Sequence, residues 1–146
     1  MKVTNRLYTL AALTVFSMHV NASQPSCNNM KGTWVNQLGS TLKIKSIDPS
    51  TKMLKGTYKS PSGTSGQKFN LIGWINSSEP APDADNVHVI AFSVQWGQYG
   101  SITSWTGICT NNNETPTIKT IWNLVRSNSQ FDWDHILTNS DTFTPK

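Results

Sequence analysis

Large aromatic residues are concentrated late in this chain of 146 residues, where four of its six tryptophans occur. They lie at uneven intervals, at Trp96, Trp105, Trp122 and Trp133. An indole ring buries a large apolar area, but it also carries an N–H group that needs an acceptor. This is more aromatic surface than the core of one small domain requires, so the tryptophans point to the walls of a binding site.

Hydrogen-bonding residues occur on the segments that would face these walls. The upstream members are Asn36, Ser40, Tyr58 and Ser60. Downstream, Asp141 lies near the end of the last predicted strand. Aromatic walls with a few convergent polar groups are typical of a buried small-molecule site. We therefore predict a pocket for one small ligand.

The positions of these residues depend on the strands that carry them. Short alternating segments separated by turn residues dominate the chain and predict eight strands. Their bounds are Thr33–Gln37, Ser40–Ile47, Met53–Ser60, Lys68–Ile75, Val87–Trp96, Ile102–Cys109, Thr117–Val125 and Ile136–Thr144. Eight strands in sequence order with short connections predict an all-β fold, an antiparallel up-and-down β-barrel, because closure removes exposed edges. A barrel of this size encloses either side chains or one small ligand.

Side-chain alternation agrees with the pocket. Inward residues of one strand must be an even number of positions apart. The candidate residues obey this rule within each strand, as in Ser101, Thr103 and Trp105 or Tyr58 and Ser60. Trp133 differs, because it lies in a polar loop before the last strand.

The N-terminal 22 residues have the features of a secretory signal peptide. Lys2 and Arg6 precede an apolar stretch, and cleavage is predicted after Ala22. The predicted barrel domain is then residues 23–146, secreted and with no membrane anchor. Removal of residues 1–22 lowers the formal net charge from +4 to +2, with ten basic against eight acidic side chains. This net charge is small and the sequence contains no nucleic-acid recognition motif, so nucleic acid is not an expected partner.

Cys27 and Cys109 are the two cysteines, and in a secreted chain they predict one disulfide. Their distance in sequence disfavours a metal or catalytic role. Sequons at Asn76 and Asn113 predict N-glycosylation on polar turns. No metal site and no cofactor are expected.

Residues 32–40, Gly-Thr-Trp-Val-Asn-Gln-Leu-Gly-Ser, resemble the avidin family of secreted biotin-binding proteins. The similarity continues through residues 56–58, 92–96, 106–109, 119–122 and 141–144, and it spans nearly all of residues 27–146. The cysteine pair is similar to that of the animal members. The resemblance implies a non-enzymatic protein that sequesters biotin with high affinity in the mouth of the barrel and assembles as a homotetramer.

The resemblance also implies a role for each polar residue. Three donors to the ureido oxygen of biotin are implied at Asn36, Ser40 and Tyr58, and acceptors for the ureido N–H groups at Asp141 and Ser60. Thr103 would face the thioether sulfur. The valerate carboxylate would be held by Thr64, Ser65 and Ser101, although the loop of residues 61–65 departs from the usual sequence.

The tryptophans divide into two groups under the same resemblance. Trp96, Trp105 and Trp122 would form the walls of the pocket. Trp133 would cover the pocket of a neighbouring subunit, which explains an aromatic residue on a polar loop. Tyr99 either rims the entrance or lies on the surface.

Two other classes of protein fit the sequence less well. A lipocalin-like carrier of a hydrophobic ligand would need a more apolar lining than Asn36, Ser40, Tyr58, Ser60, Thr103 and Asp141. A small glycosidase needs two opposed carboxylates at a set separation. Asp141 is the only acidic residue predicted inside the barrel, so no catalytic residue is assigned.

Overall fold

The computed structural model describes residues 24–79 and 81–146. Eight antiparallel strands form a closed barrel in sequence order. Their bounds are β1 Gly32–Asn36, β2 Thr41–Ile47, β3 Met53–Lys59, β4 Lys68–Asn76, β5 His88–Gln95, β6 Ser101–Asn112, β7 Thr115–Arg126 and β8 Ile136–Pro145. The predicted all-β, up-and-down barrel is therefore confirmed. The predicted signal peptide, residues 1–22, lies outside the described residues.

The hairpin of β6 and β7 is longer than the sequence pattern predicted. The prediction ended β6 at Cys109 and began β7 at Thr117, but pairing continues to Asn112 and Thr115. The two turn residues, Asn113 and Glu114, have φ values of 46° and 65°. Two positive φ angles match the strand twist in a two-residue hairpin turn, so the ladder extends to the turn itself. The polar run of residues 111–113 concealed this extension.

The barrel closes between its first and last strands, and this seam is short. β1 pairs with β8 through three positions, from Trp34 opposite Pro145 to Asn36 opposite Phe143. β1 ends at Asn36 because the chain turns there, with Asn36 N–H donating to Ser40 O at 3.0 Å. β8 begins seven residues before Phe143, at Ile136, and so extends beyond the end of β1.

Apolar side chains fill the end of the barrel that carries the N-terminal segment. Trp34 is fully buried and donates its indole N–H to Met30 O at 3.0 Å. Met30, also fully buried, packs into the same core cluster. The predicted disulfide between Cys27 and Cys109 is confirmed, with a Cα–Cα distance of 5.4 Å. This end is packed, which leaves the opposite end available for a site.

Two 3₁₀ turns occur in the described residues, at Gly97–Tyr99 and Asp132–Asp134. Both lie at the end of the barrel opposite the N-terminal segment, in the connections from β5 to β6 and from β7 to β8. Across residues 24–79 and 81–146, no helix has the length and apolar character needed to cross a membrane.

Candidate functional site

A cavity of about 310 Å³ opens at the end of the barrel where β1 turns into β2 and β3 leads into β4. Its lining combines aromatic, aliphatic and polar side chains. The lining residues are Asn36, Leu38, Ser40, Tyr58, Ser60, Ser62, Gly63, Thr64, Trp96, Tyr99, Ser101, Thr103, Trp105, Trp122, Leu124 and Asp141. The cavity therefore brings together eleven of the thirteen predicted ligand-binding residues, all except Ser65 and Trp133.

Asn36 and Asp141 form the centre of the polar part of the cavity. Asn36 Oδ1 accepts the backbone N–H groups of Leu38 and Ser40, at 3.1 and 2.7 Å. These bonds determine which way the amide faces, and its Nδ2 donates to Asp141 Oδ1 at 2.9 Å. Asp141 is only 4% exposed, so its carboxylate is both buried and oriented.

Trp105 holds the second oxygen of this carboxylate. Its indole N–H donates to Asp141 Oδ2 at 2.8 Å. A buried carboxylate is costly unless hydrogen bonds compensate for its lost hydration. Donors on both oxygens supply that compensation here. We call Asn36, Ser40, Tyr58 and Asp141 the polar end of the cavity.

Tyr58 completes the polar end as a hydrogen-bond donor. Burial raises the pKa of its hydroxyl above the ordinary value of 10.0, and the Asp141 charge raises it further. The hydrogen bond with Ser40 opposes this rise in pKa only in part. The phenol is thus protonated at neutral pH and can donate to an acceptor in the cavity.

Aromatic rings form the wall around the polar end. Trp105 stacks on Phe92 with ring centroids 4.9 Å apart, and Tyr58 lies 4.8 Å from Trp105. Trp96 crosses Tyr58 edge-on and donates its indole N–H to Thr103 Oγ1 at 2.8 Å. Trp122, directly opposite Trp105 in the register of β6 and β7, is half-buried and also lines the cavity. The rings pack on one another, so each limits the movement of its neighbours.

The loop of residues 60–67 contributes hydroxyl groups at the rim. Thr64 is buried and its Oγ1 donates to Ser60 O at 3.3 Å, and the Ser60 and Ser62 hydroxyls are 3.4 Å apart. Ser65 is exposed, adopts a φ of 50°, and is not among the lining residues. Ser62 therefore lines the cavity in this loop, whereas Ser65, at a left-handed position, does not.

Trp133 does not contact the cavity of its own barrel. It is 74% exposed and stacks on Phe131, with ring centroids 5.6 Å apart. The loop that carries it is tied to β7, because Arg126 bonds to Asp134 both through the carboxylate, at 2.6 Å, and through the backbone oxygen, at 2.9 Å. An aromatic pair is thereby presented to the outside of the barrel on a braced loop.

Sequence reasoning did not identify four of the lining residues, Leu38, Ser62, Gly63 and Leu124. Leu124 was detectable, because it shares strand parity with Trp122. The others lie on turns, where alternation gives no direction. The sequence did not decide whether Tyr99 lines the entrance or lies on the surface. It lines the entrance, and its ring centroid is 6.2 Å from that of Phe69. The two sequon residues, Asn76 and Asn113, are both exposed.

Comparison with known proteins agrees with this geometry. Residues 24–146 match the model of the Avidin family. Afifavidin from Afifella pfennigii is 31% identical over 124 residues, which cover 79% of this chain and 68% of that protein. The crystal structure of bradavidin is similar with a TM-score of 0.68 and 30% identity, covering 80% of each chain. That of Xenavidin has a TM-score of 0.67 and 29% identity, covering 82% of this chain and 98% of the other. By fold, site and sequence, the chain belongs to the avidin family.

Proposed function

We propose that this protein is a secreted, non-enzymatic binder that sequesters biotin with high affinity. Membership of the avidin family supports a biotin-binding protein. The observation that carries the proposal is the Asp141 carboxylate, held by Asn36 and Trp105 inside an aromatic cavity. A buried, fixed acceptor surrounded by donors matches a cyclic urea, which has one strong acceptor and two N–H donors.

Donor capacity remains free at the polar end. Asn36 uses one of its two amide hydrogens on Asp141, so the second is available for a ligand oxygen. The protonated Tyr58 hydroxyl supplies another donor, and the Ser40 hydroxyl, which bonds to Tyr58, would supply a third by turning its O–H to the ligand. Donors that converge on one carbonyl oxygen polarise it, and charge-assisted hydrogen bonds are the strong ones. Acceptor capacity also remains, because Asp141 Oδ2 has a lone pair beyond the one that accepts from Trp105.

The remainder of the cavity fits the apolar and anionic parts of biotin. The thiophane ring and the valerate chain would lie between Trp96, Trp105 and Trp122, with the Thr103 hydroxyl near the sulfur. At the rim, Ser101, Ser62 and Thr64 offer hydroxyls for the carboxylate, with no lysine or arginine among the described lining residues. The carboxylate would therefore be bound by neutral donors and remain accessible to water.

High affinity is proposed on the ground of preorganisation. Ring packing and hydrogen bonds within the protein hold the lining side chains in place, so binding would require little ordering of them. The alternative of a hydrophobic carrier has less support, because ten of the sixteen lining residues carry a hydroxyl, amide or carboxylate group.

Assembly as a homotetramer is part of the proposal. Apolar residues form a row across the outer face of neighbouring strands, where Ile102 pairs with Val125 and Val125 with Ile136. These three are 50%, 49% and 62% exposed. Such a row favours burial against another subunit. Trp133 would then cover the pocket of that neighbour.

Secretion is supported by the disulfide, because such bonds persist in oxidising compartments. Expression of the full chain in a secretory host tests it, with N-terminal sequencing of the protein in the medium. We expect cleavage after Ala22 and glycans on Asn76 and Asn113. A protein retained in the cells with residues 1–22 intact would contradict this part.

Calorimetric titration of the purified protein with biotin tests the central proposal. We expect one site per chain, a strong exothermic signal and a sharp equivalence point. A long-chain fatty acid in the same cell serves as the comparison for a hydrophobic carrier. No binding of biotin, or saturable binding of the fatty acid alone, would overturn the proposed function.

A further inference from the structure

Beyond the polar end itself, one side chain outside the cavity contacts its central acidic group. We infer that Gln37 is a positioning residue, whose side-chain amide clamps β8 at Asp141 and holds that carboxylate in its binding orientation. The inference rests on the proposed function, because it assigns Gln37 a role in presenting Asp141 to biotin. Gln37 is exposed and is not among the residues that line the cavity.

The clamp lies where backbone pairing at the barrel seam stops. β1 ends at Asn36, opposite Phe143, and the chain turns away at Gln37. Beyond that point, the Ser140 C=O and the Thr142 N–H of β8 still point to the side where β1 would continue. Without a partner, these groups would depend on water, and the strand edge at Asp141 would be free to separate from β1.

Gln37 supplies the missing partner with its side chain. Its Oε1 accepts the N–H of Thr142 at 2.9 Å, and its Nε2 donates to Ser140 O at 3.2 Å. The amide thus contacts one donor and one acceptor on either side of Asp141, as a peptide group of a longer β1 would. The side chain of Gln37 therefore adds one more pair of hydrogen bonds to the β1–β8 seam, beyond the end of the β1 backbone pairing.

The same amide also reaches the carboxylate of Asp141 directly. Gln37 Nε2 lies 3.4 Å from Asp141 Oδ1, the oxygen that also accepts from Asn36 Nδ2 at 2.9 Å. The direct bond is long, so we assign the larger effect to the backbone bonds that hold β8. Both routes limit the position of one carboxylate, the group that would accept a ureido N–H.

A substitution cycle tests whether Gln37 acts through Asp141. Gln37→Leu preserves the approximate shape and removes the three hydrogen bonds. We expect it to accelerate biotin dissociation by about 5- to 20-fold, the equivalent of one to two net hydrogen bonds. In the Asp141→Ala background the same change should alter the rate by less than about twofold, because the group to be positioned is gone. Asn70→Ala, an exposed amide on the outer face of β4, is the matched control and should leave the rate unchanged.

Gln37→Glu tests the role of Gln37 through the pH dependence of biotin dissociation, which a purely structural role would leave unchanged. The variant keeps the acceptor for Thr142 N–H but brings a second carboxylate beside Asp141. A free glutamate titrates near pH 4.3, so the ratio of variant to wild-type dissociation rates should increase between about pH 4 and pH 7. A ratio that stays constant over this range would contradict the clamp.

Hydrogen exchange supplies a measurement that does not depend on biotin. The Thr142 amide should be protected in the wild-type protein and exchange at least about tenfold faster in Gln37→Leu, with the global unfolding midpoint nearly unchanged. An unprotected Thr142 amide in the wild type would overturn the clamp alone. So would a Gln37→Leu effect on biotin dissociation that is equally large with and without the Asp141→Ala substitution. Absence of biotin binding by the unaltered protein would instead overturn the proposed function.

Discussion

The indole of Trp105 on β6 donates to the carboxylate of Asp141 on β8, across the interior of the barrel and past the intervening strand β7. The bond links the aromatic wall to the polar end, so the same residue provides both a surface for a ring and a fixed direction for an acceptor. Asn36 on β1 approaches the other carboxylate oxygen. Three separate strands thereby determine the orientation of one buried group.

Removal of that group should strongly weaken binding. Asp141→Ala leaves the donors of Asn36 and Trp105 without their acceptor and removes the proposed partner of a ureido N–H. Truncation of one member of a buried hydrogen-bonded pair costs about 2–5 kcal/mol, so the dissociation constant should increase by a factor of at least about 30. Competition binding with labelled biotin measures it. Asp85→Ala, in an exposed loop, is the control, and wild-type affinity in Asp141→Ala would contradict the role of this carboxylate.

Replacement of Trp133 should affect binding and assembly together. Trp133→Lys places a charge where a neighbouring subunit would accept an aromatic ring, so we expect weaker biotin binding and a smaller assembly. Trp133→Phe keeps an apolar ring and should retain most of both properties. Light scattering after size-exclusion chromatography gives the mass, and titration gives the affinity. A Trp133→Lys protein that binds biotin normally as a monomer would exclude the contribution across subunits.

The buried Tyr58 hydroxyl predicts a stability that falls at alkaline pH. Its pKa is raised in the folded protein, so the unfolded chain releases the proton first. The contribution is complete below the ordinary pKa value of 10.0 and is lost as pH rises above it. Denaturant unfolding between about pH 9 and pH 11 should therefore show a steeper loss in the wild type than in Tyr58→Phe.

The control for this pH dependence is the exposed Tyr99. Tyr99→Phe removes a phenol that is 40% exposed at the cavity entrance, and we expect it to keep the wild-type slope. Identical slopes in the wild type and Tyr58→Phe would show that the phenol of Tyr58 ionises as freely as an exposed one.

Loss of the disulfide should reduce stability without removing the site. Cys27 and Cys109 are 82 positions apart and neither lines the cavity. Removal of a native disulfide from a small domain costs about 2–5 kcal/mol, mainly through the larger freedom of the unfolded chain. The double variant Cys27→Ser, Cys109→Ser should unfold at lower temperature and still bind biotin at about 25 °C, because bound ligand stabilises the folded state. A folded variant that fails to bind would contradict the separation of disulfide and site.

Much of the fold was predictable because alternation and turn residues are local signals. They identified eight strands, their order and the inward position of residues such as Thr103 and Trp105. These local signals gave wrong positions where the conformation of a turn decides which residues pair or line the cavity. The pair Asn113 and Glu114 extended a hairpin, and in the loop of residues 60–67 the cavity is lined by Ser62 and Thr64 but not by Ser65, whose φ is 50°.

The sequence alone determined the strand pattern, the set of aromatic and polar residues that face inward, and the similarity to the avidin family. Only the tertiary structure decided which of these groups meet. The bonds from Asn36, Gln37 and Trp105 to Asp141 span 105, 104 and 36 positions. The first two follow from the seam between β1 and β8, which brings together the two ends of the chain, and the third from the curvature that makes β6 face β8 across the interior. No local pattern carries that information.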